Sequence, residues 1–134
     1  MEGRDIKKLS VTIRRSAAEA YEFLCVPENF AKWASGMGAS LRKVGSEWIA
    51  ETAEGPVQVS FSERNSLGVL DHSVRRPQGS GVYVPLRVVP SGAACELVLT
   101  LIRQPDMSDE KFAADAAWVM RDLQAAKRLL EGGP

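Results

Sequence analysis

The sequence predicts an α+β fold in which a meandering antiparallel sheet is followed by one long terminal helix. Three observations carry this. Between residues 39 and 104 the chain alternates strand-like runs with the turn clusters "VGSE", "AEGP", "NSLG", "PQGSG" and "PSGA", the punctuation of hairpins strung one after another. The closing "SDEKFAADAAWVMRDLQAAKRLLEG" repeats its apolar residues at helical spacing, which makes one face that needs a sheet to lie on. Ahead of the meander stand one alternating strand and two short helical patterns. With 134 residues and 45% hydrophobic content, the chain is expected to form one domain, spanning residues 1–134, with a substantial core.

Taken in order, the first strand reads from Ile6 to Arg14, because Leu9, Val11 and Ile13 alternate with Ser10, Thr12 and Arg14. "SAAE" then opens a helix: Ser16 caps it, and Glu19 three residues on completes a capping box. Ala17, Ala20, Tyr21 and Leu24 share one face of it. Pro27 suits a first helical position and starts a second short helix carrying Phe30 and Trp33, which Gly36 and Gly38 end. In the last helix Ser108 is the cap, Asp109 and Glu110 suit the positive end of the dipole, and Lys127 and Arg128 suit the negative end before Gly132. Its core stripe is Phe112, Ala116, Val119, Leu123, Ala126 and Leu130.

Composition narrows the function classes. Seventeen basic residues balance seventeen acidic ones with no long run of either sign, which argues against nucleic acid or an acidic membrane as partner. The opening "MEGRDIKKLS" has no apolar core of a signal segment, and no stretch approaches the roughly 18 apolar residues of a membrane span. The expected location is cytoplasmic, and Cys25 and Cys95, outside any CxxC spacing, are expected as free thiols.

If each turn is symmetric, the strand register follows by arithmetic. Phe61 falls opposite His72 and Val59 opposite Val74; His72 opposite Leu86 and Val74 opposite Val84; Leu86 opposite Leu97 and Val84 opposite Leu99; Trp48 opposite Phe61 and Ala50 opposite Val59. Every pairing keeps one apolar face together, while Glu47, Glu51, Ser60, Asp71, Arg75, Arg87 and Glu96 fall on the other, wet face. The only histidine, His72 in "VLDHSVRR", sits mid-sheet on the dry side. Its neighbour Asp71 must point the other way, so the two cannot form a dyad in a regular strand. His72 then has three readings: a core residue bonded to a backbone carbonyl, a ligand-facing residue, or a catalytic acid or base.

Other constellations are weak. No nucleophile elbow accompanies the histidine, and Cys25, His72 and Cys95 match no metal-ligand spacing. "GMGAS" lacks the third glycine of a phosphate cradle and reads as a connector. Glu63 and Arg76 lie at strand ends, where they read as rim charges or as helpers of His72. Trp118 lies off the core stripe of the last helix, on a flank with Ala125 and Leu129, and suggests either a homodimer contact or a contact with the outer sheet edge.

The element order, together with "VTIRRSAAEAYEFLCVPENFAKWA" and the closing helix, resembles the helix-grip fold of the START and birch-pollen-allergen superfamily, SRPBCC. Within it the chain is similar to the polyketide cyclase/dehydrase and lipid-transport branch. The likeness covers nearly the whole chain. It implies a seven-stranded curved antiparallel sheet wrapped around the C-terminal helix, with a hydrophobic cavity between them that binds a lipid- or polyketide-like molecule. Carried over residue by residue, Trp48, Phe61, His72, Val84, Leu86, Leu99, Phe112 and Val119 line that cavity, with Arg76 and Arg103 near the strand ends. No cofactor and no metal are implied. The central strand "GVYVPLRVV" departs from the pattern, since Pro85 cannot donate to a ladder, and a bulge or break is expected there. Three functions follow: binding of a small hydrophobic or amphipathic ligand; a cyclase or dehydratase in the same pocket with His72 as acid or base; or an interaction module with a vestigial pocket.

Overall fold

The computed structural model describes residues 4–35, 40–52, 55–76 and 81–132. The expected helix-ending Gly36 and Gly38, most of the "GMGAS" connector, the first half of "AEGP" and all but the last residue of "PQGSG" lie outside them. The elements are β1 (Ile6–Ile13), α1 (Ala17–Leu24), α2 (Pro27–Trp33), β2 (Arg42–Val44), β3 (Glu47–Thr52), β4 (Gly55–Phe61), β5 (His72–Arg75), β6 (Val82–Val84), β7 (Leu86–Ser91), β8 (Ala94–Ile102) and α3 (Asp109–Leu130). The fold is thus α+β as expected, with eight strands among the described residues in place of seven.

Local chemistry sets the helix starts. Ser16 Oγ accepts the Glu19 N–H at 3.1 Å, and Ser108 Oγ accepts the Lys111 N–H at 3.0 Å, each satisfying a donor that the first helical turn leaves free. Pro27 occupies the first turn of α2, where its missing N–H costs nothing.

The strands form two antiparallel groups, β1-β8-β7 and β2-β3-β4-β5-β6. Pro85 divides them. Lacking an N–H, it ends β6, and the chain resumes as β7 one residue later. Residues 68–70, just before β5, carry the connection across. Leu70 N–H donates to Leu86 O at 2.7 Å, Val88 N–H donates to Gly68 O at 2.9 Å, and Thr100 N–H reaches Pro85 O at 3.0 Å. The approach at Gly68 is close enough that a Cβ there would stand 2.4 Å from Val88 O, on a backbone with φ +74°. Only glycine suits that position.

The registers correct five expected pairings by two residues each. Phe61 does face His72 and Val59 faces Val74. However, Trp48 faces Val59 and Ala50 faces Val57, His72 faces Val84 and Val74 faces Val82, and Leu86 faces Leu99, the partner expected for Val84. At the β7–β8 hairpin the cause is local. Gly92, with φ +62°, begins a two-residue loop between the paired Ser91 and Ala94, so the turn centre moves one residue on. A shift of two preserves side-chain parity, and the dry face survives.

That face packs on the helices. Ile13, Leu97 and Leu123 are fully buried in one cluster with Tyr21, Leu24, Phe30, Trp33, Leu86, Leu99, Ala126 and Leu130. A smaller cluster of Ala50, Val57 and Val59, with Trp48 and Phe61 against it, closes the β3–β4 end. Both ends of α3 are fastened. Arg103 pairs with Asp109 at 2.7 Å, and at the far end Lys127 Nζ donates to Thr12 O at 2.5 Å while Arg15 Nε donates to Leu130 O at 2.7 Å.

The wet face holds one departure. Asp71 was expected among its solvated residues, yet only 4% of it is exposed. Arg87 grips its carboxylate with two bonds, Nε to Oδ1 at 2.9 Å and Nη2 to Oδ2 at 2.8 Å. Tyr83 OH donates to Oδ2, and Leu86 N–H donates to Oδ1 at 2.9 Å. The last bond matters structurally, because Leu86 directly follows the proline break.

Candidate functional site

A pocket of about 200 Å³ opens between α2, α3 and the inner face of the sheet. Phe30, Trp33 and Ala34 wall it from α2 and its end, His72, Val74 and Val84 from β5 and β6, and Leu99 and Leu101 from β8. Trp118, Val119, Asp122 and Leu123 of α3 complete it. Alternation along the strands aims His72 and Val74, paired with Val84 and Val82, at this side. On α3 the apolar stripe supplies Val119 and Leu123, with Asp122 one step off it.

His72 is 6% exposed and lies in an aromatic enclosure. Its ring centroid is 5.4 Å from that of Phe30, near edge-on, and 6.2 Å from that of Phe61. Burial pushes its pKa below the ordinary histidine value, opposed in part by the Leu70 carbonyl, 3.3 Å from Nδ1, and by the Asp71 charge. The imidazole is therefore neutral at neutral pH. A carbonyl only accepts, so that contact places the proton on Nδ1 and leaves the Nε2 lone pair available. No dyad forms, because the Asp71 carboxylate spends itself on Arg87, Tyr83 and Leu86.

Two further polar groups belong to the pocket. Asp122 accepts Ser35 Oγ at 2.6 Å and Ser35 N–H at 3.3 Å, both on Oδ1. Burial pushes its carboxyl above the ordinary range, against the opposing pull of these bonds and of Arg121. Trp33 Nε1 is the one side-chain donor among the described residues that is enclosed without an acceptor. Trp118, 47% exposed, stands at the mouth with the Arg121 guanidinium 5.4 Å from its ring centre.

Of the sequence-derived site residues, His72, Val84, Leu99 and Val119 line this pocket. The other six do not. Phe61 and Leu86 border only a gap of about 20 Å³ shared with Phe30, Trp33 and His72, because Phe30 packs edge-on against Phe61 at 5.3 Å and fills the space above it. Trp48 lies one ring further out, 6.2 Å from Phe61. Phe112 is buried near the start of α3 beneath Lys7 and Arg103. Arg103 bonds Met107 O and pairs with Asp5 and Asp109, tying α3 to β1. Arg76 borders a shallow depression with Ile49, Gln58 and Arg75, away from the pocket. Glu63 is exposed.

Phe30 and Trp33, which the sequence assigns only to a short helix, form walls of the pocket, as do Asp122 and Val74, which no sequence signal marks as site residues. Trp118, on the exposed flank of α3, also lines the pocket. A larger furrow of about 580 Å³ between α1, residues 64–68 and β7 carries the Arg64–Glu22 ion pair on its wall and lacks this aromatic enclosure. Cys25 and Cys95 are free thiols, and no cluster of potential metal ligands occurs among the described residues. Among those residues, no helix is long and apolar enough to cross a membrane.

No family model matches the chain, and no curated protein does. Solved structures match over almost its full length. An aromatase/cyclase from a Streptomyces species, Zhui, is similar with a TM-score of 0.70 at 16% identity, covering 95% of this chain and 93% of that one. The Aha1 dimer from Colwellia psychrerythraea gives a TM-score of 0.73 at 14% identity, covering 96% and 98%. Ara h 8.0201 gives 0.66 at 9% identity, covering 96% and 98%. At such identities the likeness is one of fold: the chain shares the helix-grip fold of these structures.

Proposed function

We propose that this chain binds a small, largely apolar molecule in the pocket between α2, α3 and the sheet. The observation that carries the reading is the pocket itself: about 200 Å³ of space walled by aromatic and aliphatic side chains around a buried, neutral histidine. Concave apolar sites with a few convergent polar groups are where small ligands bind. The volume lies above the roughly 150 Å³ that accommodates benzene and below the roughly 300 Å³ at which drug-sized sites begin, so a compact guest suits it better than an extended lipid. Native mass spectrometry of protein purified under mild conditions tests this; the expected result is a co-purifying species or saturable uptake of a small aromatic probe. A chain that takes up no apolar probe at solubility-limited concentration would overturn it.

The cyclase or dehydratase reading has one observation in its favour. A neutral His72 with a free Nε2 is in the state a general base requires. His72→Asn separates the two: binding within a few-fold of wild type fits a wall residue, whereas intact binding with abolished turnover fits catalysis. One fold neighbour is described as a dimer. A subunit contact through Trp118 would place a second copy across the mouth, and the sedimentation of Trp118→Ala against wild type checks it.

A further inference from the structure

The two ring nitrogens of His72 meet different surroundings. Nδ1 sits 3.3 Å from Leu70 O; a carbonyl only accepts, so that contact puts the proton on Nδ1 and leaves Nε2 a bare acceptor. Nε2 has no partner among the described residues. It is not sealed off either. Among those residues the only fully enclosed side-chain nitrogen or oxygen without a partner is Trp33 Nε1, so Nε2 keeps surface that a small molecule can reach. His72 borders both the pocket of about 200 Å³ and the gap of about 20 Å³, whereas Leu70 borders only the gap. The Nδ1 edge thus lies on the side of the gap, which has room for one water at most, and a ligand group can meet Nε2 only from the pocket.

Resting on the binding reading above, we propose that the occupant is a compact, largely apolar molecule carrying a hydroxyl or N–H group, which donates a hydrogen bond to His72 Nε2. The surrounding side chains of Val74, Val84, Leu99, Leu101 and Val119 offer that nitrogen no donor. A bare hydrocarbon in the pocket would cut Nε2 off from water and give it nothing in return, at the cost of an unsatisfied buried acceptor. An ether or ketone would set its own lone pairs against that of the imidazole. An alcohol, a phenol or an N–H heterocycle satisfies it, so His72 sets the specificity of the site for donors over acceptors.

The test uses three molecules of one shape, indene, benzofuran and indole, which place CH2, O or N–H in the same kind of fused five-membered ring. Each is titrated calorimetrically into the full chain. Indole is expected to bind about tenfold tighter than either of the others, the effect of one hydrogen bond made in an apolar surround. His72→Phe should bring indole down to the level of indene. On wild-type protein, where no folding defect of a variant intervenes, the ¹⁵N resonance of Nε2 in the only histidine should move upfield with indole and stay in place with indene. Equal binding of the three, tighter binding of benzofuran, a preference for indole that survives His72→Phe, or an Nε2 resonance that indole does not move overturns the donor inference and leaves the pocket a binding site. Failure of all three to bind overturns the binding reading and the inference with it.

Discussion

Asp71 and His72 are consecutive, both are more than nine-tenths buried, and they meet burial in opposite ways. Asp71 remains charged. Arg87 foremost, then Tyr83 and the Leu86 N–H, hold its carboxyl well below the usual carboxylate range despite desolvation. His72, one residue on and facing the other side of the sheet, has no such company and is held neutral by desolvation. The outer residue repairs the break that Pro85 makes, by accepting the N–H that follows it, and the inner one gives the pocket a polar atom without a charge. A buried ionisable group needs either a complete set of partners or the freedom to discharge.

The difference can be broken first on the outer side. Arg87→Met leaves the Asp71 carboxylate buried with only Tyr83 and Leu86. We expect a loss of about 2 to 3 kcal/mol in urea unfolding, below the 3–5 kcal/mol of a fully buried pair because Arg87 is half exposed. Adding Asp71→Asn to that variant should recover a substantial part, since the stranded charge is gone. A double variant no more stable than Arg87→Met would show that packing, rather than the charge, is what matters there.

On the inner side the probe is pH. The folded chain keeps His72 unprotonated below the unfolded value near 6.5, so as pH falls from there the unfolded state gains a proton that the folded state refuses. Stability should fall as pH drops below about 6.5, at no more than roughly 1.4 kcal/mol per pH unit, and His72→Asn should flatten that slope. Asp71 acts lower: its folded value is depressed, so its contribution is present above about pH 4 and fades below it. The smallest effect is expected at Asp122, whose raised value marks a carboxylate the fold would rather see neutral. Asp122→Asn keeps an acceptor for Ser35 and should leave stability at pH 7 within about 0.5 kcal/mol of wild type or slightly above it, by thermal unfolding.

Much of the fold was legible. Ser16, Pro27 and Ser108 mark helix starts by their own chemistry, and period-two parity put His72, Val84 and Leu99 on the inner face even where the register was off by two. The exact pairing was not legible because it depends on which residue of a turn adopts the left-handed conformation, as Gly92 does. The site was legible only where strands and the α3 stripe build it. Phe30 and Trp33 belong to a seven-residue helix, whose docking is fixed by tertiary packing, so periodicity could not foretell that Phe30 would displace Phe61 and Leu86 from the pocket. The burial of Asp71 depends on Arg87 and Tyr83 reaching it across the proline break, a relation between distant positions that no single stretch displays.

The pairing of β1 with β8, from Ile6 against Ile102 to Ile13 against Cys95, bears on how the chain reaches this state. The first strand has to wait for nearly everything after it to be made, so its edge stays open while the hairpins of the middle region can already zip. Closing so long a loop is entropically slow. The late joining of the two ends, rather than any hairpin, should therefore govern the rate at which the molecule becomes native.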